Sequence, residues 1–399
     1  MNKLANKEEK IRKKTVKKKK IKRIKKEKKN RFKTTVKVIG ISFLILLAIV
    51  TIIIFGMYKS GEMFFKNGTD VGGLKIDVTG EEIESAKEKF AYGNTIPWQD
   101  DWLVYHEKIY EYKEDSINFL LLGIDKKGKL DHNTDLSDWD AGQADAVFVI
   151  SLDPGEKKVS VIGIPRNSMA YVEMFDSDRN SLGYIYNQVC LQYGYAGGGE
   201  LGLEATKRLV SELLYELPIH GACAINFKAI EIVTEKIGGV EVTIKEDLSI
   251  LGSEFVEGNQ VVIKGDNTVD YLIYRDTSVI GSPTTRLTRE KEFLEAMIHK
   301  SIACVKKNPA IVSDVYKAIL PYMNTDVTLD KAVYLAMNSL DYKINSDSFY
   351  QLQGEDREVI GIGEFGEERT FNDFYLDEEN LLETVVKVFY EEVNYSTSN

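Results

Sequence analysis

Cysteine and histidine are scarce in this chain. Three cysteines, Cys190, Cys223 and Cys304, spread over 399 residues are too few and too far apart for a disulfide framework, and none sits in a metal-ligand motif. One internal bridge would still leave a thiol over. The four histidines, His106, His132, His220 and His299, include no pair at ligand spacing, which argues against a zinc centre. Gly197 to Gly199 have no P-loop Lys and Ser/Thr behind them, so they read as a turn rather than a phosphate cradle. No helix-turn-helix pattern occurs, and no repeat of about 20 to 50 residues.

Positive charge is missing from most of the chain as well. The first 37 residues hold 19 Lys and Arg against 3 acids, and the remainder holds 33 against 59, a balance of -26. An acidic body excludes general nucleic-acid affinity, since phosphate backbones need a basic surface. Residues 1–37 read as a disordered basic arm. The run Val38 to Tyr58 is uncharged, has Lys37 and Lys59 at its ends, and matches the roughly 20 residues that cross a hydrocarbon core. No small-residue cleavage pattern closes it, so it is expected to be an uncleaved signal anchor. The arm then stays cytoplasmic beside anionic lipid, and the rest of a single-pass cell-membrane protein lies outside.

The remaining chain divides into a stalk or ancillary segment (59–115), a main domain (116–305) and a C-terminal helical and Gly-rich extension (306–399). The main domain opens with three short apolar runs, Phe119–Gly123, Ala146–Ile150 and Val159–Ile164, bounded by Gly, Asp and Pro, which predict buried strands. A hairpin at Asp153-Pro154-Gly155 makes the second and third antiparallel. If the first lies alongside in the same sense as the third, Asp125, Asp145 and Arg166 meet at one sheet edge. Two carboxylates and a guanidinium there suit a divalent cation plus a phosphate; the plainer reading is turn chemistry after strands.

Residues 169–201 read as loop-rich. Helices are expected over Glu200–Leu214 and Lys228–Ile237, strands over Ala222–Phe227 and Val240–Ile244, and an irregular hairpin over Ser253–Gly265. Strand-helix-strand order points to an α/β layered fold. A helix beginning at RLTREKEF would put Arg286 and Arg289 on its first turns, where the helix dipole disfavours cations unless an anion is present.

The ordered series NFLLLGID (118–125), GQADAVFVISLDPGEKKVSVIGIPRN (142–167), YNQVCLQYGYAGGGEL (186–201), FKAIEIVTEKIGGVEVTI (227–244), GNQVVIKGD (258–266), VDYLIYRD (269–276) and RLTREKEFL (286–294) resembles the LytR-CpsA-Psr family of cell-envelope proteins. The resemblance implies an α-β-α sandwich, a mixed central sheet flanked by helices with a hydrophobic tunnel for a polyprenyl chain, preceded by one transmembrane helix. It also implies a phosphotransferase that moves a glycopolymer from an undecaprenyl-pyrophosphate carrier to a peptidoglycan hydroxyl with magnesium or manganese. Asp125 and Asp145 match the metal ligands, and Arg166, Arg275, Arg286 and Arg289 match arginines around the pyrophosphate, with Asn187 alongside.

Five positions depart from the family pattern. Gln143, Ile185 and Ile273 stand where the family has cations, Asn167 where it has an acid, and Glu290 where it has a glutamine. Lys126, Lys127 and Arg179 are candidates to replace the lost charge. Two other readings stay open: a non-catalytic member that binds lipid-linked polymer or envelope partners as a scaffold, and hydrolysis of the lipid pyrophosphate rather than transfer.

Overall fold

The computed structural model describes residues 58–63, 74–76, 80–91, 97–130, 141–274, 282–362 and 367–393. The basic arm, all of the apolar run except Tyr58, and Arg275 lie outside the described residues. Among the described residues no helix is long and apolar enough to cross a membrane.

Helix α1 (Gly80–Ala91) and strands β1 (Leu103–Tyr105) and β2 (Lys108–Tyr112) precede β3 (Ile117–Ile124), β4 (Ala144–Asp153) and β5 (Lys158–Ile164). A hairpin, β6 (Met169–Phe175) and β7 (Ser181–Gln188), leads into α2 (Leu191–Tyr195) and α3 (Gly199–Leu213). Then come β8 (Gly221–Asn226), α4 (Phe227–Lys236), β9 (Val240–Thr243), β10 (Gln260–Ile263), α5 (Asn267–Ile273) and α6 (Ser282–Lys307). The chain ends with α7 (Ile311–Ile319), β11 (Met323–Thr325), α8 (Leu329–Asn338), β12 (Phe349–Gln351), the hairpin β13 (Gly354–Ile362) and β14 (Glu368–Leu376), α9 (Glu378–Phe389) and β15 (Tyr390–Glu392).

Six strands form the central sheet in the order β11-β8-β3-β4-β5-β12. β3 and β5 both run antiparallel to β4, which lies between them, while β8 and β12 join as parallel neighbours. The sheet is therefore mixed, with helices on both faces. Leu120, Leu122, Val147 and Val149 pack toward α3 and α9, and Phe119, Phe148 and Ile150 pack toward α6 and α8. Each fully buried Leu or Ile contributes about 1.5–3 kcal/mol. A one-residue slip in β3 would exchange its faces and forfeit several such terms.

Several sequence expectations change. The central sheet is not confined to residues 116–305, because β11 and β12 are its two edge strands and both come from the last hundred residues. β2 pairs with β15, so residues before 115 and after 389 share one small sheet. The stretch after Arg166 is a hairpin rather than loop, in register from Met169↔Gln188. Residues 253–265 make no hairpin of their own: β10 pairs back with β9, in a two-stranded sheet outside the central one. Helix α6 begins at Ser282, so Arg286 and Arg289 lie beyond the first turn, where the dipole argument loses its force.

Candidate functional site

β3 ends, β4 begins and β5 ends at the same edge of the sheet, which brings Asp125, Asp145 and Arg166 to one place. The register has an irregularity there. Gly123 pairs with Ala146 and Ile124 with Ala144, so Asp145 is the extra residue of a β-bulge. A bulge re-aims the side chain it carries. Asp145 leaves the strand alternation and lines a cavity on the α4 and α6 side of the sheet.

The Arg166 guanidinium forms an ion pair with Asp145 through Nη1. Its Nη2 donates to Gln143 Oε1 at 2.7 Å and lies 3.6 Å from Cys190 Sγ. Burial opposes the charge on Arg166, yet Cys190, Asp145 and Asp125 around it more than offset that, and its pKa rises above the usual guanidinium value. Burial also pushes the Cys190 thiol up.

Asp125 is fixed from the other side. The Gln143 backbone N–H donates to Asp125 Oδ1 at 2.6 Å, and the Asp125 N–H donates to the Gln143 carbonyl at 3.1 Å. Between them Gly142 adopts φ +83°, and a Cβ there would lie 2.7 Å from Ile124 Cγ2 and 3.1 Å from Asp125 Oδ1. Glycine is what lets the chain close around the carboxylate.

Asp145 and Arg166 stand at one end of a cavity of about 160 Å³. Its walls are apolar: Leu121, Ala146 and Phe148 from the sheet, Ile225 and Phe227 around the end of β8, and Ile230, Leu272, Phe293, Leu294 and Met297 from α4, α5 and α6. Ile273 and Glu290, two of the positions that depart from the family pattern, line it as well.

The other expected site residues are placed less uniformly. Arg289 is 6% exposed; it pairs with Glu246 at 2.5 Å, donates to the Tyr274 carbonyl and lies over the Tyr271 ring at 5.5 Å. Its guanidinium is thus committed inside the fold, holding the residue that precedes Arg275. The Arg286 side chain lies outside the described residues. Asn187 donates to Tyr195 Oη at 3.4 Å. Arg179 occupies the far turn of the β6–β7 hairpin, on the order of 25 Å of strand from Gln188, so it does not replace charge at this cleft.

Sequence reasoning missed Gln143 and Cys190 as constituents of the site. Gln143 stands where the family has a cation, and its amide oxygen accepts from Arg166 while its backbone holds Asp125. Only the position of Cys190 within YNQVCLQYG could have drawn attention to it.

Two carboxylates beside a guanidinium form an oxygen donor set that fits a magnesium ion, which is usually held by one or two carboxylates plus substrate phosphates. No cluster of three or more His, Cys, Asp or Glu suited to a metal occurs among the described residues. An all-protein cage is accordingly not what these residues build.

A sequence model of the LytR_cpsA_psr family matches residues 78–375. The chain belongs to this family. Two of its relatives are named polyisoprenyl-teichoic acid–peptidoglycan teichoic acid transferases. TagT of Bacillus subtilis is 28% identical over 261 residues, covering 64% of this chain and 73% of the relative. TagU of Oceanobacillus iheyensis is 23% identical over 252 residues, covering 63% and 71%. A crystal structure of a Streptococcus agalactiae protein matches 68% of this chain and 86% of its own length with a TM-score of 0.50 at 19% identity, a likeness of fold alone.

Proposed function

We propose that this chain is a membrane-anchored transferase that moves a teichoic-acid-type glycopolymer from an undecaprenyl-pyrophosphate carrier to peptidoglycan. The observation that carries the reading is the Asp145–Arg166 pair lining an otherwise largely apolar cavity. A guanidinium with two carboxylates that could hold a divalent cation, beside a greasy slot, fits a lipid diphosphate better than any wholly polar substrate.

Arg166 binds the phosphoryl oxygens, and Gln143 orients its guanidinium from behind. The walls from Leu121 to Met297 exclude water and take the first isoprene units. The acceptor hydroxyl oxygen forms its bond to phosphorus as the bond to polyprenyl phosphate breaks, and the hydroxyl proton is released. A magnesium or manganese ion held by Asp125 and Asp145 would offset the charge that develops on the transferring group. Arg275 and Arg286 carry over from the family pattern as further pyrophosphate contacts.

The experiment is turnover by the full-length protein of a lipid-diphosphate donor, read as release of polyprenyl phosphate with and without magnesium. Polymer joined to added peptidoglycan, in a product that Asp145→Ala abolishes, supports transfer, whereas polyprenyl phosphate released with no joined polymer marks hydrolysis. A second reading, a binding scaffold without turnover, is favoured by Ile273, an apolar residue in the cavity wall where the family has a cation. Tight donor binding with no product in the same assay would select it.

A further inference from the structure

The outward face of the β6–β7 hairpin has a composition that folding does not explain. Its inward face is buried on β6, with Ala170 at 7% and Val172 at 0% exposure, and half-open on β7, where Ile185 is 40% exposed, while Tyr171, Tyr184 and Tyr186 stand outward at 66%, 52% and 51%. A half-buried antiparallel hairpin normally turns polar side chains to water. Here Tyr171 pairs directly across from Tyr186, their rings 5.3 Å apart, and Tyr184 follows two residues along the same face. The one acid between them, Glu173, is occupied by Arg208. The face is therefore aromatic, hydroxyl-bearing and neutral.

This face runs into the cleft. At the end of β7, Gln188 donates to Asp373 Oδ1 at 2.8 Å, and its Oε1 lies 3.8 Å from Cys190 Sγ, the same sulfur that lies 3.6 Å from Arg166 Nη2. The neighbouring hairpin extends the surface with Arg357, whose guanidinium lies 4.4 Å over the Tyr375 ring. Residues two apart on a strand are about 6.6 Å apart, a step comparable with one pyranose ring.

We propose that Tyr171, Tyr184 and Tyr186 form a platform on which sugar rings of the acceptor glycan strand stack while its hydroxyl reaches the phosphoryl group beside Arg166. The proposal rests on the transfer reading above and names the subsite for its acceptor. Apolar C–H faces of pyranoses lie on aromatic rings, and tyrosine hydroxyls hydrogen-bond the ring substituents; the amphipathic ring serves both. An acyclic polyol-phosphate chain has no ring face to lay on the tyrosines. An anionic lipid surface is disfavoured by the acidic body.

The test uses full-length protein in detergent micelles titrated with chitopentaose, followed by calorimetry. Wild type binds saturably, and Tyr171→Ser/Tyr186→Ser weakens binding at least about tenfold, or about 1.4 kcal/mol. Tyr171→Phe/Tyr186→Phe keeps most of the affinity. Because these rings are more than half exposed, the serine variant should melt within about 2 °C of wild type. Absence of saturable binding by wild type, equal binding by the serine variant, or loss of binding to poly(glycerol phosphate) or to phosphatidylglycerol vesicles in its place overturns the platform. Failure of the transfer reading shows separately, as unchanged donor turnover in Arg166→Gln with the chitopentaose results intact.

Discussion

Replacing Arg166 with glutamine separates a structural from a functional role for the cleft. Its ion pair with Asp145 joins side chains 37% and 38% exposed, and pairs that wet contribute about 0–1 kcal/mol to stability. For a domain of this size that is a change in melting temperature of about 2 °C. Loss of two charge-assisted contacts to phosphoryl oxygens, each worth about 1.5–3 kcal/mol, removes about 3–6 kcal/mol from the transition state, or two to four orders of magnitude in rate. The assay is the initial rate of polyprenyl phosphate release against donor concentration, with thermal melts run on the same samples. A rate within threefold of wild type refutes the assignment, as does a fall in melting temperature large enough to account for the loss.

Three further outcomes follow from the geometry. Gly142→Ala places a Cβ 2.7 Å from Ile124 Cγ2 at a φ of +83°. It should cost about 1–3 kcal/mol and lower turnover by displacing Asp125, measured by urea denaturation and the donor assay together. Arg289→Leu strands Glu246, which is 32% exposed, so the cost should fall at or below the about 3–5 kcal/mol of breaking a buried pair. An unchanged urea midpoint with lost donor affinity would instead make Arg289 a substrate contact. The third concerns His220, which accepts the Asn118 N–H at Nδ1 and whose pKa burial lowers from 6.5. As pH falls through 6.5 the unfolded chain takes up a proton before the folded one, so stability drops with acidification. The urea midpoint should fall more between pH 7.5 and 5.5 in wild type than in His220→Gln.

Much of the cleft was legible because its parts lie close in sequence. Asp125, Asp145 and Arg166 each flank an apolar run, and one tight turn at Pro154-Gly155 fixes the sense of β4 against β5. The bulge at Asp145 was not legible, since one extra residue leaves the apolar pattern unchanged. Nor were β11 and β12, three residues each, which carry no periodicity of their own and are strands only because a sheet edge was waiting for them. The β6–β7 hairpin was hidden because its outward residues are tyrosines rather than charges, which erased the polar half of the alternation. Arg289 looked like a surface cation because Glu246, its partner, lies 43 positions earlier.

The most direct measurement is the identity of the lipid that stays with the full-length protein through gentle purification, read by mass spectrometry of an organic extract. A cleft that grips a diphosphate beside an apolar slot should retain a polyprenyl phosphate or diphosphate, and Arg166→Gln should retain far less of it. An extract holding only bulk phospholipid, or an equal polyprenyl yield from the variant, would contradict the account.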